Sequence, residues 1–371
     1  MRAPSPLAAA KSPSYHLAAF HTSRLEALPQ AAAQAAMPRL DGPLLGLLAL
    51  QEQVPANWAQ LVEARLREDW GVQHWCRWSV PAWHNGQDWV REGFGGLALV
   101  ARLPHTELHS HPIGGYDETA LASLGQQQEA GRLGFLQMAS NTPFLTPRIS
   151  KLQAASEAFL LGALDAPQPT PAAQLIEVAP APAMTLARLP SYAPLGNWHR
   201  ITAAVGSVVQ GIDERPALDV LTGEAGQLLV RKVEQLSDRI LIGFPASGEG
   251  DERDIQARRL TAINRGQRSF SVSDEVLPGM ALCFCRRDAG VARSEADRTL
   301  GRLAARLDAP PRAALLFSHA NRNQGFMPGA DDARLVRQHL GLDFPLFALE
   351  SSGEILNTRL YTESAVLALF L

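Results

Sequence analysis

The run GPLLGLLALQEQ, residues 42–53, constrains the fold more than any other stretch of the chain. It is a short, continuously apolar segment closed by polar residues, which reads as a buried strand. A helix follows. In NWAQLVEARLREDWG (57–71), Trp58, Leu61, Val62, Leu66 and Trp70 recur at helical spacing; Asn57 can cap the start and Gly71 can take the left-handed position at the end. VQHWCRWSV (72–80) and GFGGLALVARL (93–103) then read as strands. The same order returns near the C-terminus. RAALLFSHA (312–320) is a strand, DDARLVRQHLG (331–341) a helix with acids in its first turn and Arg337 and His339 in its last, DFPLFALE a strand, SSGEILN a loop and YTESAVLALFL (361–371) a final strand. Matched order and spacing at 44–103 and 312–371 suggest a diverged internal duplication; the plainer reading is that strand–helix–strand is a common unit.

Between these segments, GRLGFLQMAS (131–140) and AFLLGAL (158–164) read as strands flanking the helical PRISKLQAAS, and the proline- and alanine-rich stretch 166–183 as a linker or surface loop. HRITAAVGSVVQGID (199–213) reads as a hairpin turning at Gly206-Ser207, residues 253–288 as two or three further strands, and 294–311 as a helix stopped by its prolines. The fold class is α/β, mixed α+β, with two related modules whose mixed sheets combine strand–helix–strand units with hairpins.

With 371 residues there is room for two domains, and a net charge of −3 gives no basic footprint for nucleic acid. No apolar run reaches the roughly 20 residues that a membrane helix needs. Residues 1–15 read as a disordered tail. Cys76, Cys283 and Cys285 form no CxxC pair. The last two are expected on opposite faces of one strand, so neither a disulfide framework nor a zinc site is expected, and a cytoplasmic location fits.

APLGNWHRITAAVGSVVQGIDERPALDVL (193–221), the segment ending VLPGMALCFCRRD, then ALLFSHANRNQGF and FALESSGEIL together resemble FIST-domain proteins. GLLALQEQ, LREDWGVQHWCRWSV and GGLALVARL resemble the family's N-terminal module. The resemblance implies a FIST N-like module over 16–215 and a FIST C-like module over 216–371. It also implies an intracellular signal-transduction protein that senses a small ligand such as an amino acid, with an unidentified protein partner and no cofactor. The readings held beside it are a non-catalytic interaction scaffold and an enzyme of unknown type.

Ligands of open α/β sheets bind beyond the C-terminal ends of the strands. SHANRNQG (318–325) leaves one such end and SSGE (351–354) the next. If the two strands are parallel neighbours, Arg322 can hold a carboxylate in two parallel bonds and Glu354 an ammonium. Ser318, Asn321 and Ser352 add neutral partners, and Gly353 frees the turn. The alternative is a structural ion pair of Glu354 with Arg322 or Arg359. In LPHTELHSHPIGGYD (103–117), His105, His109 and His111 contain an HSHP core similar to the zinc site of JAMM-type isopeptidases. The positions for its serine and aspartate hold Thr119 and Ala122, so no metal is expected. The glycine-rich 243–254 lacks a phosphate loop's Gly-Lys-Ser/Thr, and Ser247 lacks a GxSxG frame. Trp75, Trp78, Trp83 and Trp89 read as core packing or as an aromatic ligand wall.

Overall fold

The computed structural model describes residues 12–35, 37–38, 40–114, 131–142, 144–168, 172–226, 239–245, 255–323 and 332–371. The chain divides by contact into two compact units, one comprising Met1–Arg188, Thr299–Leu360 and Ala365–Leu371, the other Leu189–Arg298 and Tyr361–Ser364. These are not the segments 16–215 and 216–371 of the sequence reading, because strands from both ends of the chain build the first unit.

The first unit repeats one strand pattern three times. The first round runs β1 (Ser14–Thr22), α1 (Leu28–Gln34), β2 (Leu44–Gln51), α2 (Ala56–Trp70), β3 (His74–Val80), the short β4 (Trp83–His84) and β5 (Trp89–Val90), and β6 (Phe94–Arg102). The second is β7 (Glu107–Gly114), β8 (Leu133–Ala139), α3 (Leu145–Ser156), β9 (Phe159–Asp165) and β10 (Ala172–Ala179). The third opens with β11 (Met184–Pro190). After the residues of the second unit it resumes with β19 (Ala313–His319), α6 (Ala320–Asn323), α7 (Asp332–Leu340), β20 (Leu346–Ser351), β21 (Glu354–Leu356), β22 (Arg359–Tyr361) and β23 (Ser364–Phe370).

Each round builds its own sheet in the order first, fourth, second, third: β1-β6-β2-β3, β7-β10-β8-β9 and β11-β23-β19-β20. The second and third strands of each are parallel, as a helical crossover requires. The order anticipated at 44–103 and 312–371 therefore occurs a third time, at 107–179. β21 and β22 extend the second sheet past β9, and β4 and β5 extend the third past β20.

One face of each sheet joins a common core. Leu45, Leu47 and Ala49 of β2, Leu133 and Phe135 of β8, Ala313, Leu315 and Phe317 of β19, and Phe347 and Leu349 of β20 all belong to it. The alternate residues Leu44, Leu48 and Leu50 pack instead with Leu28 and Ala32 of α1 and Ala59, Val62 and Leu66 of α2. Both faces of β2 are thus covered, which is why LLGLLALQ shows no polar alternation. Gly46 serves a close approach, since a Cβ there would lie 2.3 Å from Cε3 of Trp75. Of the four clustered tryptophans, Trp75, Trp78 and Trp83 are core residues and Trp89 is half-exposed.

The second unit is all antiparallel in its long strands: β12 (Tyr192–Val205), β13 (Val208–Ile212), β14 (Arg215–Pro216), β15 (Ile240–Pro245), β16 (Ile255–Asn264), β17 (Ser269–Val272) and β18 (Ala281–Arg287). The order β12-β18-β15-β16-β17-β13 closes on itself through a β12–β13 pairing, so the sheet is a small barrel. Ala217, Leu218, Val220 and Leu221 of α4 (Ala217–Ala225) are buried in its core with Phe270 and Phe284. α5 (Ala289–Ala304) then carries the chain toward β19. Among the described residues no helix is long and apolar enough to cross a membrane.

Several expectations need correction. β1 begins at Ser14, inside the tail expected over 1–15, and Tyr15 is buried; residues 1–11 lie outside the described residues. α2 starts at Ala56 behind Pro55, so Asn57 sits in the first turn and does not cap it, whereas Gly71 ends the helix at φ 72° as anticipated. Residues 172–179, expected in a linker, form a strand paired on both sides, since AAQLIEVA carries the buried Leu175, Ile176 and Val178. SSGEILN is not all loop, because β21 pairs with β9. Cys283 and Cys285, two apart on β18, share a face, with Sγ atoms 3.7 Å apart. Residues 246–254, with Ser247, lie outside the described residues, as do Thr119 and Ala122.

Candidate functional site

The common core of the first unit ends in a polar layer. Following the alternation of its apolar residues toward the C-terminal ends of the parallel strands, the next core-side positions are Gln51 on β2, Gln137 on β8, Asp165 on β9, His319 on β19 and Ser351 on β20. Glu354 joins them, being paired in register with Ala163 of β9, which is itself paired with Gln137. Gln51, Ser351 and Glu354 have no solvent exposure, and Asp165, His319 and Gln137 are 5%, 8% and 9% exposed.

Backbone bonds draw these strand ends together. The N–H of Ala166 donates to the carbonyl of Ser79 at 3.0 Å, joining the ends of β9 and β3. Leu164 N–H donates to Gly353 at 2.8 Å, joining β9 to the turn after β20, and Glu350 N–H donates to Ala82 at 2.9 Å, joining β20 to the segment after β3. Each of the three parallel pairs is thereby tied to the other two at the end where open α/β sheets place ligands.

Asp165 is the chemically unusual member. Burial raises its carboxyl to about 7, against the lowering effects of the Ser79 N–H, the Gln137 amide and Arg77. Gln137 Nε2 donates to Asp165 Oδ2 at 2.7 Å, and Ser79 N–H donates to Oδ1. Ser351 Oγ donates to Glu354 Oε1 at 3.1 Å. Gln51 is different: neither its Oε1 nor its Nε2 has a hydrogen-bond partner. A buried amide left in that state costs about 1–3 kcal/mol.

The residues expected from the sequence fall on two sides of the third sheet. β19 and β20 are parallel neighbours as anticipated. Ser318 alternates with Phe317 and so turns away from the common core, where its Oγ donates to Asp332 Oδ2 at 2.7 Å. Arg322 gives Asp332 two bonds, from Nε at 2.8 Å and Nη2 at 2.7 Å, with both side chains fully buried. The fork expected to hold a ligand carboxylate therefore holds a carboxylate of the protein. Asn321 is half-buried, and its backbone N–H donates to His319 Nδ1 at 3.4 Å. Ser352 is exposed, Gly353 is buried, and Glu354 alone of the six lies in the polar layer. Residues 324 and 325 of the expected loop lie outside the described residues.

The sequence reading missed Gln51, Gln137, Asp165, His319 and Ser351. The signal was available, for LLALQ, GFLQMA, LGALD, LLFSH and FALES all carry a polar residue where an apolar strand ends. His109 and His111 lie elsewhere, on the strand β7, and His105 lies in the turn before it. His111 Nε2 is 2.7 Å from Glu177 Oε2, and His109 Nε2 is 3.4 Å from Glu107. Among the described residues no group of three or more His, Cys, Asp or Glu is arranged to hold a metal ion.

Over 169 residues the chain is 29% identical to an uncharacterised protein of Mycobacterium bovis and, equally, to one of Mycobacterium tuberculosis. The match covers 44% of this chain and 43% of each relative, so the chain spans less than half the length of the curated relatives it matches. Residues 217–357 match the FIST C domain, which is associated with sensory signal transduction. The match takes in β19, β20 and β21, and with them three members of the polar layer, His319, Ser351 and Glu354. Residues 217–357 of the chain are thus similar to the FIST C domain.

Proposed function

We propose that the chain is a sensory module that binds a small polar metabolite at this layer and reports its occupancy to a protein partner. The family resemblance favours amino acids and related compounds. The free thiols Cys76, Cys283 and Cys285 fit a reducing, cytoplasmic setting. The observation that carries the reading is Gln51, an amide without exposure whose donor and acceptor atoms are both unmatched, at the strand ends where the three parallel pairs meet. Packed interiors rarely keep such a group, and a bound polar molecule supplies what it lacks. Of the residues expected from the sequence, Glu354 contacts the ligand, while Ser318 and Arg322, both bonded to Asp332, brace the sheet from its other face. A thermal-shift screen of the full chain against amino acids and other small polar metabolites tests this. At least one compound is expected to raise Tm, and Glu354→Gln to weaken that response. Silence across the screen would favour the scaffold reading.

A further inference from the structure

We infer that the ligand is a neutral molecule presenting an amide-type edge, an N–H beside a C=O, to Gln51, and not a zwitterion. The inference rests on the sensory reading above and, within small polar metabolites, takes neutral amides over the amino acids that the resemblance favours.

The first argument is complementarity. A primary amide offers one carbonyl acceptor and two N–H donors from the same planar group. A partner that satisfies both sides of it at once has a donor and an acceptor in the same spacing, as a carboxamide, lactam or ureide does. Gln137 provides the internal contrast, since its amide is already committed to Asp165. Two more unmatched groups lie one step below the layer on its core-side face. Trp78 precedes Val80, the register partner of Gln51, and Trp83 is the register partner of Leu349, two residues before Ser351. Both indole Nε1 atoms are buried without an acceptor. The unmatched groups are thus three N–H bearing nitrogens and one carbonyl, all uncharged, which suits a ligand rich in carbonyl oxygens.

The second argument is charge. An amino acid's carboxylate brought into a buried site needs a cation to replace its water. Among the described residues, the two buried arginines of this unit are each committed to a protein carboxylate: Arg322 to Asp332, and Arg132 beside Glu177 at 3.8 Å. Of the layer's ionisable members, Asp165, Glu354 and His319, two are carboxyls, and an ionised carboxyl there would repel a second anion.

Titration calorimetry and thermal shift on the full chain, with nicotinamide, hydantoin and 2-pyrrolidinone as neutral probes and glutamine and glutamate as zwitterionic ones, separate the possibilities. The neutral set is expected to raise Tm of the wild type, and binding is expected to weaken at least tenfold in Gln51→Leu. Gln51→Met, which keeps the side chain's length, serves if the leucine variant does not fold. If the amino acids bind and the neutral probes do not, the sensory reading stands and this inference is overturned. Neutral probes that bind equally well to the Gln51 variants overturn it too. If neither set binds, and Gln51→Leu or Gln51→Met raises Tm, the unmatched amide is a structural cost only and both readings fall.

Discussion

Removing the carboxylate of Asp332 tests the division of labour between the two faces of the third sheet. In Asp332→Ala the Arg322 guanidinium loses two charge-assisted bonds of 2.8 and 2.7 Å, and Ser318 loses its 2.7 Å acceptor. Both members of the ion pair are fully buried, so water does not replace the lost partner. Breaking one side of such a pair costs about 3–5 kcal/mol. The Ser318 hydroxyl, left without that acceptor, adds about 1 kcal/mol. Arg322→Met with Asp332→Leu removes both charges together and is expected to cost under about 2 kcal/mol, because nothing charged stays behind. Urea unfolding followed by tryptophan fluorescence is the assay. Of the seven tryptophans only Trp198 belongs to the second unit, so the signal reports mainly on the first. A cost for Asp332→Ala below about 1 kcal/mol, or a double variant as damaged as the single, would refute the reasoning. In that event Arg322 is free to serve a ligand after all.

Asp165 should make stability depend on pH. Its folded pKa, about 7, lies above the ordinary 3.8, so the folded state holds the proton more tightly. Stability from this group is therefore full below pH 4 and falls as pH rises toward 7, by up to about 1.4 kcal/mol per pH unit. Asp165→Asn, compared with wild type by urea unfolding at pH 5 and pH 8, should flatten that dependence and be relatively more stable at pH 8. Gly46→Ala places a methyl against the Trp75 indole and is expected to destabilise by about 1–3 kcal/mol, read as a lower urea midpoint. Elemental analysis of the purified chain is expected to give well under one zinc per chain; one equivalent, lost in a His109→Ala/His111→Ala double variant, would overturn that.

What could be read from residues alone divides along the range of the forces involved. The crossover units around 44–80 and 312–351 were legible because continuous apolar runs and a helical stripe are local signals, and Gly71 marked its own helix end. β10 was not legible, since its identity depends on β7 and β8 flanking it, and its neighbouring prolines and alanines argued for a linker. The recurrence of one strand order three times was only two-thirds visible, as the second round resembles the others in topology more than in composition. Glu354 was singled out because a carboxylate after an apolar strand is conspicuous. Its companions Gln51 and Asp165 carry the same mark on other sheets, yet nothing local says that those sheets end at one place. Arg322 shows the opposite failure, for its partner Asp332 lies ten residues on and sequence could not decide between that carboxylate and a ligand's.

The strand order has a consequence for how the chain is made. In the first two rounds the four main strands of each sheet are synthesised within one contiguous stretch, so those strands can pair while later residues are still being added. The third cannot. β11, residues 184–190, must wait for β23, residues 364–370, which emerges only after the whole barrel unit has been translated. Until then β11 has no strand beside it in the third sheet, and the apolar faces of the first two sheets lack the third that completes their core. Nascent chains stalled anywhere between those two strands should expose that half-built core, and so be the species that chaperones hold and proteases cut.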